Sequence, residues 1–195
     1  MGQENLFIVI EGLDGTGKST LVEKLSSALN AKSLSSPPLM KAPDLYEGDL
    51  RDYFDKSSQL IRRAYYSSTN LIASEMAIEA LKHNHVVMDR YWTSTVAFSA
   101  MDDYNEMAEW EGTYPSSIRP PDILILLTVD ETNRNKRMVG RGEAKTDEEQ
   151  NLASDNLRRE EVLASYRTFS PLEIDTSNLD PEGVLKAALK IVENH

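Results

Sequence analysis

The chain has no cysteine, so neither disulfides nor thiolate chemistry can contribute to what its 195 residues do. It also lacks any apolar run near the roughly 20 residues that cross a bilayer as a helix. Its three histidines, His83, His85 and His195, show no metal-ligand spacing. Positive charge is scarce: 21 Lys and Arg stand against 32 Asp and Glu, for a net charge of −11. Such a surface repels nucleic acid and anionic membrane, so neither is expected as a partner. A polyanionic substrate would have to be caught by a local basic site. Residues 1–5 lack the pattern of a targeting leader, and Leu6 stands where myristoylation needs Ser or Thr. The expectation is a cytoplasmic protein, or a mitochondrial one if a leader has been removed. No internal repeat is visible. Hydrophobic residues make up 40%, enough for one core, and the length suits one domain over residues 1–195.

The periodicities alternate between strand and helix. Residues 6–11 (LFIVIE) read as a buried strand. A glycine turn follows, then a helix over 19–30 with Leu21, Val22, Leu25 and Leu29 on one face. Residues 31–34 suit a second strand, and 41–56 a loop with a short helix. A long helix is expected over 59–83, a strand over 85–89 (HVVMD) and a helix over 93–101. An acidic, proline-ended loop spans 102–121, and 123–129 (ILILLTV) is the most strongly apolar strand. Helices are expected over 131–139, ending at Gly140, and over 147–166. A last strand over 172–175 precedes a helix capped by Asp180 with Pro181 in its first turn. Strands apolar on both faces imply an α/β fold: a parallel sheet with helices on both sides.

Between the first strand and first helix stands Gly12-Leu13-Asp14-Gly15-Thr16-Gly17-Lys18-Ser19, a full match to G-x-x-x-x-G-K-[ST]. Glycines let backbone N–H groups curl around a phosphate, and the helix start turns its positive end toward the anion. Lys18 is placed to reach the β- and γ-phosphates. The Ser19 hydroxyl is a hard oxygen suited to Mg²⁺, and Thr20 extends the nucleotide contact. The motif indicates a nucleoside triphosphate without naming the reaction.

Asp89-Arg90-Tyr91 ends the strand over 85–89, with Ser94 just beyond. Ligands of open parallel sheets bind past the carboxyl ends of the strands. Asp89 is therefore expected beside the phosphate loop, as a metal partner, Arg90 as a clamp on an acceptor phosphate, and Ser94 as a further contact to that substrate.

These strings, together with Pro121-Asp122 before ILILLTV, resemble thymidylate kinases over nearly the whole chain. The stretches IRRAYYSSTNLIASE (61–75), DRYWTST (89–95) and GRGEAKTDEE (140–149) are most similar to the thymidylate-kinase-like domain of mitochondrial UMP-CMP kinases. The resemblance implies a P-loop NTPase fold with a five-stranded parallel sheet, a lid over about 137–149, and a homodimer. It further implies ATP and Mg²⁺ as cofactors and a nucleoside monophosphate as acceptor. Asp14 matches the contact to the acceptor sugar, Arg90 the acceptor-phosphate arginine, and Phe98 the aromatic under the sugar. Tyr66 matches the aromatic that stacks on the base, Arg137 an arginine near adenine, and residues 174–177 a segment near adenine. One class of relatives carries a basic residue inside the phosphate loop, where this chain has Gly15 and Thr16. The other class supplies it from the lid, as Arg141 would here.

Four residues after Tyr66, where thymidylate kinases place an arginine, stands Asn70. An amide both donates and accepts, so Asn70 is expected to read uracil and cytosine alike. Arg134, Lys136, Arg137, Arg141 and Lys145 supply the local basic site that the net charge demands. Arg62, Arg63 and Lys41 stand between substrate contacts and surface pairs, and Asp147, Glu148 and Glu149 read as a charged first helical turn. The expected activity is transfer of phosphate from ATP to dUMP, dCMP, UMP or CMP, with dTMP as a further acceptor. A strict dTMP kinase and a deoxynucleoside kinase are the alternatives. A GTPase is excluded by the lack of N-K-x-D, since Asn135-Lys136 is followed by Arg137 and Met138.

Overall fold

The computed structural model describes residues 4–38, 49–102, 105, 107–141, 152 and 155–195, with Gly140 and Arg141 described in their backbone alone. Five strands, β1 (Phe7–Gly12), β2 (Lys32–Ser35), β3 (Val86–Asp89), β4 (Ile123–Thr128) and β5 (Leu172–Asp175), form one sheet in the order β2-β3-β1-β4-β5. All four pairings are parallel. Among the described residues, the α-helices are α1 (Lys18–Leu29), α2 (Asp49–Asp55), α3 (Gln59–Leu81), α4 (Trp92–Ser99), α5 (Glu131–Arg141), α6 (Asn156–Thr168) and α7 (Pro181–Glu193), with a 3-10 turn at Ala108–Trp110.

The side-chain alternation of β1 divides the core. Ile8 and Ile10 pack with Leu21, Val22 and Leu25 of α1 and Val184 and Ala188 of α7. Phe7 and Val9 face the opposite way, against Ala73 and Ala77 of α3 and Trp92 and Val96 of α4. On that side Leu13, Leu126, Phe98, Val162 and Tyr166 join α4 to α6. Every side chain of β1 is buried, as both-face coverage demands. β1 lies at the centre of the sheet, so the loop leaving it opens at the crevice where connections diverge to either side.

Helices α5 and α6 depart from the sequence reading in ways with a local cause. α5 continues through Gly140 to Arg141; a glycine permits a helix stop without requiring one. α6 starts at Asn156 because the Asp155 carboxylate accepts from the N–H groups of Leu157 and Arg158, a complete N-cap. It runs on to Thr168. The lid beyond 141, Lys41, Lys145 and the carboxylates 147–149 lie outside the described residues. No described helix is long and apolar enough to cross a membrane.

Candidate active site

The phosphate loop is shaped by glycine at two places. Gly12 has φ +143°, and a Cβ there would lie 2.5 Å from the Leu127 carbonyl oxygen of β4. Gly15 has φ +86°, and its Cβ would press on Arg134 at 3.1 Å and Met138 at 3.2 Å. A side chain at that position would strain the backbone and require Arg134 and Met138 of α5 to give way by a few tenths of an ångström. Thr16 closes the turn, its hydroxyl donating to Leu13 O at 2.8 Å. Neither a side-chain cap nor a carboxylate occupies the start of α1. The free N–H groups and the positive end of the helix dipole therefore face the loop.

Lys18 is buried, its ammonium donating to Leu13 O at 3.0 Å and lying 3.5 Å from Asp14. Burial, reinforced by the nearby Arg90 charge, lowers its pKa. Ser19 Oγ, exposed, donates to Asp89 Oδ2 at 2.8 Å. The register explains the meeting: Asp89 pairs with Ile10, so β3 ends beside the strand that feeds the loop. A hydroxyl and a carboxylate next to a phosphate cradle form the hard-oxygen set that suits Mg²⁺, which takes one or two carboxylates plus substrate phosphates.

Arg90 has φ +63°, a left-handed conformation that costs a non-glycine residue roughly 1–2 kcal/mol. The turn swings its guanidinium over the loop, where Nη2 meets Asp14 Oδ1 at 2.5 Å. The Arg90 guanidinium lies 5.4 Å from the centre of the Phe98 ring. Burial works against the charge on both partners, but the pair wins: Arg90 is held above its ordinary pKa, chiefly by Asp14. Asp14 is held well below the carboxylate range by Arg90 and Lys18. The structure thus brings Lys18, Asp14, Arg90 and Phe98 into one cluster, with Ser19 and Asp89 at its edge.

On the other side of the loop, a cavity of about 280 Å³ is lined by Gly15, Thr16, Thr20, Arg137, Thr176 and Leu179, among others. Arg137 donates to Thr176 Oγ1 at 2.9 Å and Thr176 O at 2.8 Å, and more weakly to Gly15 O and Thr16 O. It therefore forms one wall of a slot that continues from the phosphate cradle.

Two residues assigned to the substrate from sequence are engaged within the protein itself. Asn70 is buried, its amide oxygen accepting from Ser36 Oγ at 2.6 Å and its nitrogen donating to Thr95 Oγ1 at 2.8 Å. It braces α3 against α4 and the end of β2, and is not presented to a ligand as an open amide. Ser94 is likewise saturated. It donates to Glu11 Oε2 at 2.6 Å and contacts Arg90 Nη1 at 3.3 Å and the Tyr166 hydroxyl at 2.8 Å. Tyr66, half-buried, donates to Asp55 of α2 at 2.7 Å. Arg63 forks onto Asp102 at 2.6 and 2.9 Å, with Arg62 at 3.4 Å from the same carboxylate. Arg141 ends α5, and its side chain lies outside the description.

Arg134 was expected only as one member of the basic cluster, and Glu11 and Tyr166 escaped the sequence reading. Arg134 is buried, clamped by Glu131 at 2.9 Å, and donates to Asp14 O at 3.4 Å behind the phosphate loop. Glu11 and Tyr166 are buried polar groups behind Arg90. The one available signal was Glu11 itself, a carboxylate at an inward position of a strand with no other charge.

Similarity to known proteins agrees with this geometry. The family model described as Thymidylate kinase matches residues 10–179. The chain is similar to human mitochondrial UMP-CMP kinase 2, with 33% identity over 96% of this chain and 42% of that protein. It therefore spans less than half of that relative's length. The thymidylate kinase of Leptospira borgpetersenii is 25% identical over 97% of this chain and 94% of its own. Among solved structures, thymidylate kinase from Candida albicans superposes with a TM-score of 0.74 at 20% identity, covering all of this chain and 93% of the other. That likeness supports the shared P-loop NTPase fold. With most of its length matched by the family model and its phosphate loop in place, the chain belongs to the thymidylate kinase family.

Proposed function

We propose that this chain transfers the γ-phosphate of ATP to pyrimidine nucleoside and deoxynucleoside monophosphates, yielding diphosphates from UMP, CMP, dUMP and dCMP, with dTMP as a further acceptor. One observation carries the reading. Lys18, the loop cation, and Arg90 both meet Asp14 Oδ1, at 3.5 and 2.5 Å. Two cations suited to anions thus converge on one carboxylate oxygen, close enough to serve two phosphorylated ligands held for direct transfer.

The residues divide the work as follows. Backbone N–H groups of Gly12 through Ser19 cradle the triphosphate, and Lys18 moves from Leu13 O onto its β- and γ-oxygens. Ser19 and Asp89 would hold Mg²⁺, whose charge on the phosphates favours the departure of ADP. Thr20, Arg137 and Thr176 line the slot for the nucleoside of ATP. Arg90 clamps the acceptor phosphate, Asp14 meets the acceptor sugar, and Phe98 and Tyr66 flank sugar and base. Arg141, at the end of α5, is assigned to the moving phosphoryl group. The acceptor phosphate is already a nucleophile, so no general base is needed. Asn70 enters this reading as a brace for Ser36 and Thr95.

The broad pyrimidine range rests on the likeness to the UMP-CMP kinase. A strict dTMP kinase is the second reading, favoured by the name of the Leptospira relative. A coupled assay with ATP and a panel of dTMP, dUMP, dCMP, UMP and CMP separates them. Turnover of dTMP alone selects the second reading, and turnover of thymidine but of no monophosphate removes both in favour of a deoxynucleoside kinase. We further propose a homodimer through α3, which leaves Leu60, Ile61, Leu71, Ile72 and Ile78 exposed. The compartment is assigned as cytoplasmic; localisation of a tagged full chain to mitochondria would replace that assignment.

A further inference from the structure

The alternation of β1 that turns Phe7 and Val9 toward α3 and α4 turns Glu11 the same way, into the start of α4. There it is 1% exposed. Four donors converge on it. Oε1 accepts from the Tyr91 N–H at 2.8 Å, the Ser94 N–H at 3.2 Å and the Thr93 hydroxyl at 2.5 Å, and Oε2 from the Ser94 hydroxyl at 2.6 Å. Tyr91, the N-cap residue of α4, offers no side-chain cap, and the first turn holds no carboxylate. A strand residue 80 positions away therefore caps this helix. The cap closes on the turn in which Arg90 adopts its left-handed backbone.

We propose that Glu11 is a positioning residue for the acceptor-phosphate site, fixing the aim of Arg90 through Ser94 and the first turn of α4. The inference rests on the kinase reading given above. Its logic is one of hydrogen-bond polarity. A serine hydroxyl has one proton and two lone pairs. Glu11, an acceptor only, takes the proton. The lone pairs are left for Arg90 Nη1 at 3.3 Å and for Tyr166, which must then be the donor across its 2.8 Å contact. Arg90 can only donate. Glu11 thus keeps Ser94 oriented as an acceptor behind the guanidinium, leaving the rest of the fork for Asp14 and an incoming phosphate. Glutamine at position 11 would keep the shape and reverse the polarity: its amide nitrogen would donate into Ser94, which would then turn its proton toward Arg90 or Tyr166.

The test measures initial rates with whichever monophosphate of the panel the wild-type chain uses fastest. In Glu11→Gln and in Ser94→Ala, KM for the monophosphate is expected to rise about tenfold while KM for ATP stays within about twofold. Ser94→Ala leaves the backbone cap intact, so it decides the matter if circular dichroism shows Glu11→Gln to be unfolded. An unchanged acceptor KM in Ser94→Ala, or equal rises in both KM values, overturns the proposal; so does a fall in kcat that only tracks the folded fraction. A wild-type chain that phosphorylates none of the panel removes the kinase reading, and this inference with it. An active wild type with unaltered variants removes the inference alone.

Discussion

Replacing Arg90 with Met keeps most of the side-chain volume against Phe98 and removes the charge. In the proposed complex the guanidinium gives two charge-assisted hydrogen bonds to the acceptor phosphate, each about 1.5–3 kcal/mol. Their loss, about 3–6 kcal/mol, predicts a fall of about 10²- to 10⁴-fold in kcat/KM for the monophosphate. The ATP side should be spared, because Lys18 and the loop backbone do not depend on Arg90 for their geometry. Stability should fall less than for a fully buried pair. Arg90 and Asp14 are 23% and 22% exposed at their side chains, and Lys18 remains 3.5 Å from the stranded carboxylate. A cost of about 1–3 kcal/mol follows, below the 3–5 typical of a dry, broken pair. The assay couples ADP release to NADH oxidation, varying each substrate in turn, with chemical denaturation run alongside. A variant within about threefold of wild type, or one whose ATP KM rises as much as its acceptor KM, would refute the assignment of Arg90.

Lys18→Ala should abolish turnover while leaving the circular dichroism spectrum unchanged, and near-normal rates would defeat the phosphate-loop assignment. Asn70→Ala deletes two buried hydrogen bonds, so a loss of about 2 kcal/mol and a Tm lower by roughly 4–8 °C are expected by differential scanning fluorimetry. The CMP to dTMP rate ratio should move little in that variant; a large change would return Asn70 to base reading. Leu71→Glu combined with Ile78→Glu should convert the proposed dimer to monomer in light scattering, and a wild-type chain already monomeric would dismiss the interface. Burial opposes the charge on Asp14, yet Arg90 and Lys18 depress its pKa below that of the unfolded chain. Its stabilising contribution is therefore complete above the ordinary aspartate range and lost as pH falls through the lower folded value. Without Arg90 much of the depression goes, so the Arg90→Met variant should unfold at a higher pH on acid titration.

Much of this site was legible because it is encoded locally. The loop from Gly12 to Ser19 needs only its own glycines, one lysine and the strand and helix around it, all within consecutive residues. Asp89 and Arg90 were legible at one remove, since a carboxylate ending an apolar strand in a parallel sheet must emerge near the loop. Register made the meeting concrete by pairing Ile10 with Asp89. The setting of Asn70 was not legible because helical spacing gives the face but not the neighbours. The partners that claim its amide, Ser36 and Thr95, lie 34 and 25 residues away on other elements. The partners of Ser94 were hidden for the same reason, its bonds running to Glu11 and Tyr166, 83 and 72 residues distant.

Glu11 shows how both kinds of information can sit in one residue. It directly precedes the phosphate-loop motif in sequence, and its inward position on β1 follows from alternation alone. Neither says why a carboxylate is kept where desolvation pushes its pKa up and where a phosphorylated ligand must bind nearby. The tertiary structure supplies the reason. The charge is spread over two backbone N–H groups and two hydroxyls at the start of a helix, and it lies within the field of Arg90. A neutral acceptor in that place would leave donors of the first turn of α4 weakly satisfied, and the left-handed turn at Arg90 would lose its support. Arg90 is thus braced from behind by Glu11 through Ser94 and faced from the front by Asp14, so its guanidinium is already oriented before any ligand arrives. In the proposed complex, that preorganisation would let an acidic chain hold two polyanions side by side.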